Sequence, residues 1–340
     1  MDGDTFSRQN SGKDSKINET MEFTGTGTEY FKIWIVNILL TVLTLGIYNA
    51  WAKVRTKTYF YRNTHLAGSS FKYLATPWMI LKGQIIAAVF FITVAVLSQL
   101  DPLFAIVFLL VLVILIPWVI VRSLMFNAYN SAYRNIRFGF KPAYGESYAV
   151  AYGWYFLTAI TLGLLLPVWI HRQYSLIFNN HTYGKTPFRF HATSGQFYAI
   201  YIKALIAAMG IGLISYMLFV TLGSAINPTG GNFAQALEGA SLTFIAFFAL
   251  TVIIPFFLLS IYVGVSLTNL AFNKTTVGDH AFNCKQEVLP MVKIIFVNSI
   301  LVLITLGIYM PWAKVNITRY TVSKLSIAVE GSLDSIIADE

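Results

Sequence analysis

Val36–Val54 reads VNILLTVLTLGIYNAWAKV, and Val297–Val315 reads VNSILVLITLGIYMPWAKV. Twelve of the nineteen positions are identical at a constant offset of 261, which Lys32 and Lys293 also keep. A looser copy, TLGLLLPVWIH, lies at Thr161–His171, with one extra residue between Gly163 and Trp169. Repetition of this kind means that one structural module is used more than once. Tyr30–Trp51 is 22 residues, about 33 Å as a single helix, which is enough to cross a bilayer once. Two readings follow. Either each segment crosses, with Gly46, Gly163 and Gly307 allowing close helix packing, or the chain enters and returns at the Thr-Leu-Gly triplet. In the second case Thr44, Thr161 and Thr305 bond carbonyls freed by the break, because lipid cannot satisfy them.

Outward from these segments the chain is 56% hydrophobic and only 11% charged, against about 25% charged in soluble domains. No Lys or Arg occurs between Gly83 and Val121, or between Ala204 and Asn273. Runs such as Pro102–Val121 and Leu242–Val265 have no polar helical face and reach the roughly 20 residues needed to span. The sequence therefore predicts an α-helical integral membrane protein. Residues 1–29 are polar and read as a disordered cytosolic tail rather than a secretory signal. Residues 30–150 and 151–286 read as duplicated membrane halves, residues 287–331 as a third TLG segment with a strand, and residues 332–340 as a tail. Pro117 and Pro255 fall in corresponding spans, each 18 residues before an Asn.

A second motif recurs between the apolar segments: Asn63–Phe71 (NTHLAGSSF), Asn179–Phe188 (NNHTYGKTPF) and Asn273–Phe282 (NKTTVGDHAF). Gly68, Gly184 and Gly278 centre a turn, and alternation through Phe71, Phe188 and Phe282 suits a half-buried strand. The three read as short β-hairpins, with a degenerate fourth at Asn135–Gly139.

Charge decides the topology. Seven spans would place Arg172, Lys185 and Arg189 opposite the Asn63 hairpin, against the positive-inside tendency. Four full spans, near Trp78–Ser98, Pro102–Arg122, Tyr198–Thr221 and Leu242–Val265, combined with three re-entrant or shallow TLG segments, leave both outer loops free of Lys and Arg. All 24 basic residues then lie on, or snorkel to, one face, and the hairpins are cytosolic. The formal charge of +9 is thereby assigned to anionic lipid rather than to nucleic acid. Trp51 with Lys53, Trp169 with His171 nearby, and Trp312 with Lys314 read as interfacial anchors.

None of the fifteen acidic residues lies deep in an apolar segment, which argues against ion coupling through a buried carboxylate. The five histidines and Cys284 have no zinc-finger-like spacing, so no metal site is predicted. No nucleotide, hydrolase or metalloprotease motif occurs, and neither an enzyme nor a cofactor is expected. Asn37 and Asn298 are equivalent polar residues within apolar runs. They either line a pathway with the three triplets or bond between helices, an interaction worth about 0.6 kcal/mol in a membrane.

At these residues the chain resembles the YjgN-like family of bacterial inner-membrane proteins. TLGIYxxWAKVR, with Lys53 and Arg55, carries the resemblance together with the Asn-Gly hairpins. The middle copy departs from it, with Leu165 at the Tyr position. The resemblance implies a multi-pass inner-membrane protein of uncharacterised function and transfers no site residues. Two functions fit the residues: a channel or carrier for a small solute, or a non-transporting scaffold whose cytosolic hairpins join into one sheet that docks a protein partner or anionic lipid.

Overall fold

The computed structural model describes residues 17–226 and 249–329. Both extreme tails and most of the expected outer loop Leu222–Ser241 lie outside them. The described chain is five successive units, each a strand, a helical hairpin and a second strand. The first contains β1 (Ile17–Phe23), α1 (Gly27–Leu43), α2 (Asn49–Arg62) and β2 (Thr64–Leu66). The second contains β3 (Ser69–Tyr73), α3 (Pro77–Leu100), α4 (Pro102–Tyr129) and β4 (Ser131–Tyr133). In the third, β5 (Ile136–Phe140) leads through α5 (Tyr144–Tyr148), a π-helical turn (Ala149–Trp154) and α6 (Tyr155–Ile160) to α7 (Leu166–Asn180) and β6 (His181–Tyr183). The fourth has β7 (Thr186–Phe190), α8 (Ser194–Ile226), a π-helical turn (Ala249–Ile253), α9 (Ile254–Asn273) and β8 (Thr275–Val277). The fifth has β9 (His280–Cys284), α10 (Val288–Ile304), α11 (Met310–Ser323) and β10 (Leu325–Val329).

All ten strands close into one antiparallel barrel, in which β10 returns to pair with β1 through Ile17–Val329 to Thr20–Ser326. The hairpin motifs of the sequence are therefore parts of a single barrel. Their turns differ in kind. Ala67-Gly68 and Arg134-Asn135 have positive φ at both positions, whereas Gly184 and Gly278 have it only at the first, the sign patterns of I′ and II′ turns. Across both turn types the helix-end residue and the inward phenylalanine stay eight positions apart, at Asn63–Phe71, Asn130–Phe138 and Asn180–Phe188. Asn63 occupies the position of Asn130 and Asn180, each bonding the carbonyl four residues back, while Asn135 is a turn residue.

Two sequence expectations are corrected here. Residues 17–29 are not tail. INETMEF alternates half-buried Glu19 and Met21 and buried Phe23 with outward Asn18, Thr20 and Glu22 to form β1, and its polar outer face made it look disordered. Thr26 and Glu29 then form a capping box for α1. Nor is the chain simply two halves. Its hairpins alternate short, long, short, long, short around the barrel, and the strong repeat at offset 261 relates the first and fifth units.

Four helices are long and apolar enough to cross a membrane: Pro77–Leu100, Pro102–Tyr129, Ser194–Leu218 and Leu250–Asn273. They form the second and fourth hairpins. Each hairpin packs against the next, by α2 on α3, α4 on α5, α7 on α8, α9 on α10 and finally α11 on α1. Pro117 and Pro255 are accommodated by neighbours. The carbonyls they leave without an N–H four residues back, Val113 and Thr251, accept hydroxyls from Tyr152 and Ser215.

Each TLG segment is a helix–turn–helix. Leu45, Leu162 and Leu306 adopt φ of 49°, 52° and 49°, and the following glycines 91°, 88° and 92°. Gly46 N–H bonds Thr41 O at 2.7 Å and Leu45 N–H bonds Val42 O at 3.1 Å, the Schellman pattern. Thr44 Oγ1 donates to Leu40 O at 2.7 Å and accepts Tyr48 N–H at 2.9 Å, bridging the two helices. Thr305 and Thr161 do the same.

Candidate functional site

The barrel interior is built in layers. Strand alternation turns Met21, Phe71, Phe138, Phe188 and Phe282 inward, one from each unit. Their cross-strand partners are Leu66, Tyr133, Tyr183, Val277 and Ile327. The phenylalanines follow one another at 6.5, 6.4 and 5.9 Å between centroids. The partner layer, towards the hairpin turns, is buried. There Tyr133 donates to Leu66 O at 2.6 Å and Tyr183 to Tyr133 O at 3.0 Å, so these rings satisfy their hydroxyls without water.

Between the layers lies a cavity of about 230 Å³. A second, of about 420 Å³, shares Met21, Phe71 and Phe138 with it and extends to the helix side, where Tyr61, Asn127, Ser131 and His181 line it. Burial pushes the His181 imidazole below its ordinary pKa, partly offset by its bond to Ile177 O, which favours the neutral ring at neutral pH. Beside this mouth a third cavity, of about 610 Å³, contains Asn37, Thr56, Lys53, Lys57 and Lys314. Lys57 Nζ donates to Asn127 Oδ1 and so joins the lysine cavity to the barrel mouth. Burial first, and then the Lys53 charge, lower the Lys57 pKa. Lys314 Nζ lies 4.7 Å from the Phe60 centroid and donates to Tyr30 Oη at 3.4 Å. The site is thus an apolar pocket with a cationic collar at one mouth.

The predicted residues fall into separate places. Asn37 and Asn298 are not brought to a shared path. Asn37 Nδ2 bonds Ala52 O and Thr56 Oγ1 across the first short hairpin, at 3.4 and 3.5 Å. Asn298 Oδ1 accepts from Asn316 at 3.2 Å across the last. Thr44, Gly46, Thr161, Gly163, Thr305 and Gly307 form three distinct tips. Trp51 meets Tyr48 and Trp78, Trp169 bonds Val150 O at 2.8 Å, and Trp312 stacks on Phe31 at 4.8 Å. Phe71, Phe188 and Phe282 meet in the lumen, while Gly68, Gly184 and Gly278 lie in turns and Asn179 and Asn273 near helix ends. Asn179 accepts Phe190 N–H and Asn273 accepts Cys284 N–H, tying helix to strand.

His171 links α7 to the start of α8 through Ser194 and Ala192 O. Among the described residues no group of three potential metal ligands occurs. Sequence reading missed Met21, Phe138, Lys57 and Asn127. The alternation Ile136, Phe138, Phe140 signalled the second of these, but Lys57 and Asn127 are 70 residues apart and carry no local signature.

Fold and site define a multi-pass helical membrane protein assembled on a closed ten-stranded barrel. The chain belongs to the family described as "Bacterial protein of unknown function (DUF898)", whose model matches residues 18–340. It is similar to "Inner membrane protein YjgN" of Salmonella typhimurium strain LT2, 25% identical over 79% of this chain and 66% of that protein. It is also similar to the proteins of that name in Escherichia coli O157:H7 and K12, each 22% identical over 90% of this chain and 74% of theirs. The chain thus spans about two thirds of the length of the Salmonella relative. No solved structure matches it. The protein is an inner-membrane protein.

Proposed function

We propose that the chain is a non-transporting membrane scaffold whose basic face gathers anionic lipid, with no catalytic step. In this reading the second and fourth hairpins cross, the three TLG hairpins dip partway from the cytosolic side, and the barrel sits on that face. The single observation that carries it is the apolar girdle of the lumen, where the inward side chains of all five units narrow the barrel to a cavity of about 230 Å³. Outside the barrel, α3–α4 and α8–α9 are separated by short hairpins, so one chain supplies no continuous wall of full-length helices around an aqueous path. Lys53 lies seven residues beyond Gly46, about 10 Å of helix, a depth at which its ammonium reaches headgroups while the tip stays in hydrocarbon.

A second reading keeps the channel. The girdle of Met21, Phe71, Phe138, Phe188 and Phe282 has the form of a hydrophobic constriction that gates by dewetting. Proteoliposome flux separates the two. The scaffold reading expects no solute flux with or without Phe138→Ala, together with enrichment of anionic lipid around the protein. Flux that rises on Phe138→Ala overturns it. Cysteine accessibility at Gly68, Asn180 and Gly231, after replacement of Cys284, tests the sidedness: Gly68 and Asn180 are expected on one face and Gly231 on the other.

A further inference from the structure

We propose that the barrel lumen receives a hydrocarbon tail of a phosphate-headed membrane lipid whose headgroup is held by Lys53, Lys57 and Lys314. This rests on the scaffold reading for its orientation and adds a stoichiometric site to what is otherwise a general attraction for anionic lipid.

The lumen cavity is lined by apolar and aromatic side chains and one buried imidazole, His280, while Tyr133 and Tyr183 spend their hydroxyls on backbone carbonyls. If a methylene occupies about the 30 Å³ of a water molecule, 230 Å³ accommodates roughly seven. Access runs through the helix-side cavity, where Asn127, Ser131 and His181 supply the polar groups. A largely apolar lumen behind a more polar helix-side mouth is the polarity of an amphiphile entering tail first.

The collar specifies the head. Lys53, Lys57 and Lys314 share one cavity, and none of them has an ion-pair partner among the described residues. Asn37 is 6% exposed, and its Oδ1 has no partner while it faces this cavity. Three ammonium groups match the several acceptor oxygens of a phosphate.

The test uses the full-length protein, purified in detergent and exchanged with phosphatidylglycerol or phosphatidylcholine, with bound lipid counted by native mass spectrometry. One phosphatidylglycerol per chain is expected to persist, with phosphatidylcholine lost. K53Q/K57Q/K314Q should weaken retention about tenfold or more, and Ser131→Phe, which narrows the mouth, should weaken it with the lysines intact. Phe138→Trp and Phe71→Trp, prepared in parallel so that misfolding of one leaves the other, should be quenched by chain-brominated phosphatidylglycerol beyond the wild-type signal. Displacement by millimolar inorganic phosphate without such quenching would reduce the site to a free-anion site and overturn the lumen assignment. Phosphatidylglycerol enrichment in nanodiscs with no quenching would also overturn it while leaving the scaffold reading intact. Solute flux, by contrast, would sink the scaffold reading whether or not a lipid is bound.

Discussion

The first and second hairpins grow from adjacent strand pairs of one barrel, yet one turns after 17 residues of α1 and the other after 24 of α3. Their bases are alike. Thr64 caps Phe60 O at 2.9 Å in the short one, and Ser131 caps Asn127 O at 2.7 Å in the long one. Their tips are not. The long hairpin turns at Leu100-Asp101-Pro102, where Asp101 caps Leu103 N–H and presents a carboxylate. The short ones turn at Thr-Leu-Gly, with the leucines 93–95% exposed and backbone groups bonded through Thr and the Schellman pair. A carboxylate turn needs water, whereas a self-satisfied apolar turn does not. In the proposed topology, tip chemistry, more than the barrel, therefore sets how deep each hairpin is built to go.

The largest effect should come from the bases, where the comparison predicts equality. Phe140 packs on α4 at 2% exposure, and Phe23 packs on Tyr30 and Val315 at 4%. Phe140→Ala and Phe23→Ala should each cost about 3–5 kcal/mol, read by thermal unfolding in detergent. A loss confined to Phe140→Ala would mean that the short hairpins are not docked as the long ones are.

The tips should then separate the two classes. In the proposed topology Leu45→Arg and Leu306→Arg place a cation in hydrocarbon, at about 2.5–3.5 kcal/mol each, and should reduce membrane assembly. Leu100→Arg, beside the aqueous turn, should do little. Equal tolerance at all three positions would break the depth assignment, and maleimide labelling of cysteines placed at Leu45 and Gln99 reads the same difference independently.

Glycines sharpen the contrast with opposite signs. Gly46 has φ +91° and open space around a built Cβ, so Gly46→Ala adds strain without a clash, about 1–2 kcal/mol. Gly83, inside α3, also has open space but ordinary helical φ. Gly83→Ala should stabilise by about 0.5–1 kcal/mol. Matching shifts in midpoint from the two variants would show that the turn, not the residue, had been misread.

Much of this was legible in the chain and some was not, for physical reasons. Gly46, Gly163 and Gly307 announced a break, and Thr44, Thr161 and Thr305 announced what repairs it, because both act within five residues. Phe71, Phe188 and Phe282 announced inward strand faces. Closure of the barrel was not readable, since β1 pairs with β10 across 312 residues from Ile17 to Val329 and its outward Asn18, Thr20 and Glu22 resemble a solvated tail. The collar was hidden for the same reason. Lys314 reads as an interfacial anchor and Lys57 as an ordinary helix cation, and only the meeting of α11 with α1 puts them in one cavity.

The smallest expected effect concerns the residues that sequence singled out as a pathway. Asn37 and Asn298 each bond within their own short hairpin, and the long hairpins have no counterpart at the same height. Asn37→Leu and Asn298→Leu should therefore each cost about 0.6 kcal/mol and add without coupling, because separate hairpins share no partner. Asn37→Leu should in addition weaken retention of phosphatidylglycerol, since Asn37 bonds Ala52 and Thr56 on the helix that carries Lys53 and Lys57, whereas Asn298→Leu should leave retention unchanged. A coupling energy clearly different from zero in the double mutant would reunite the two asparagines in a common element and restore the pathway that their separate hydrogen bonds argue against.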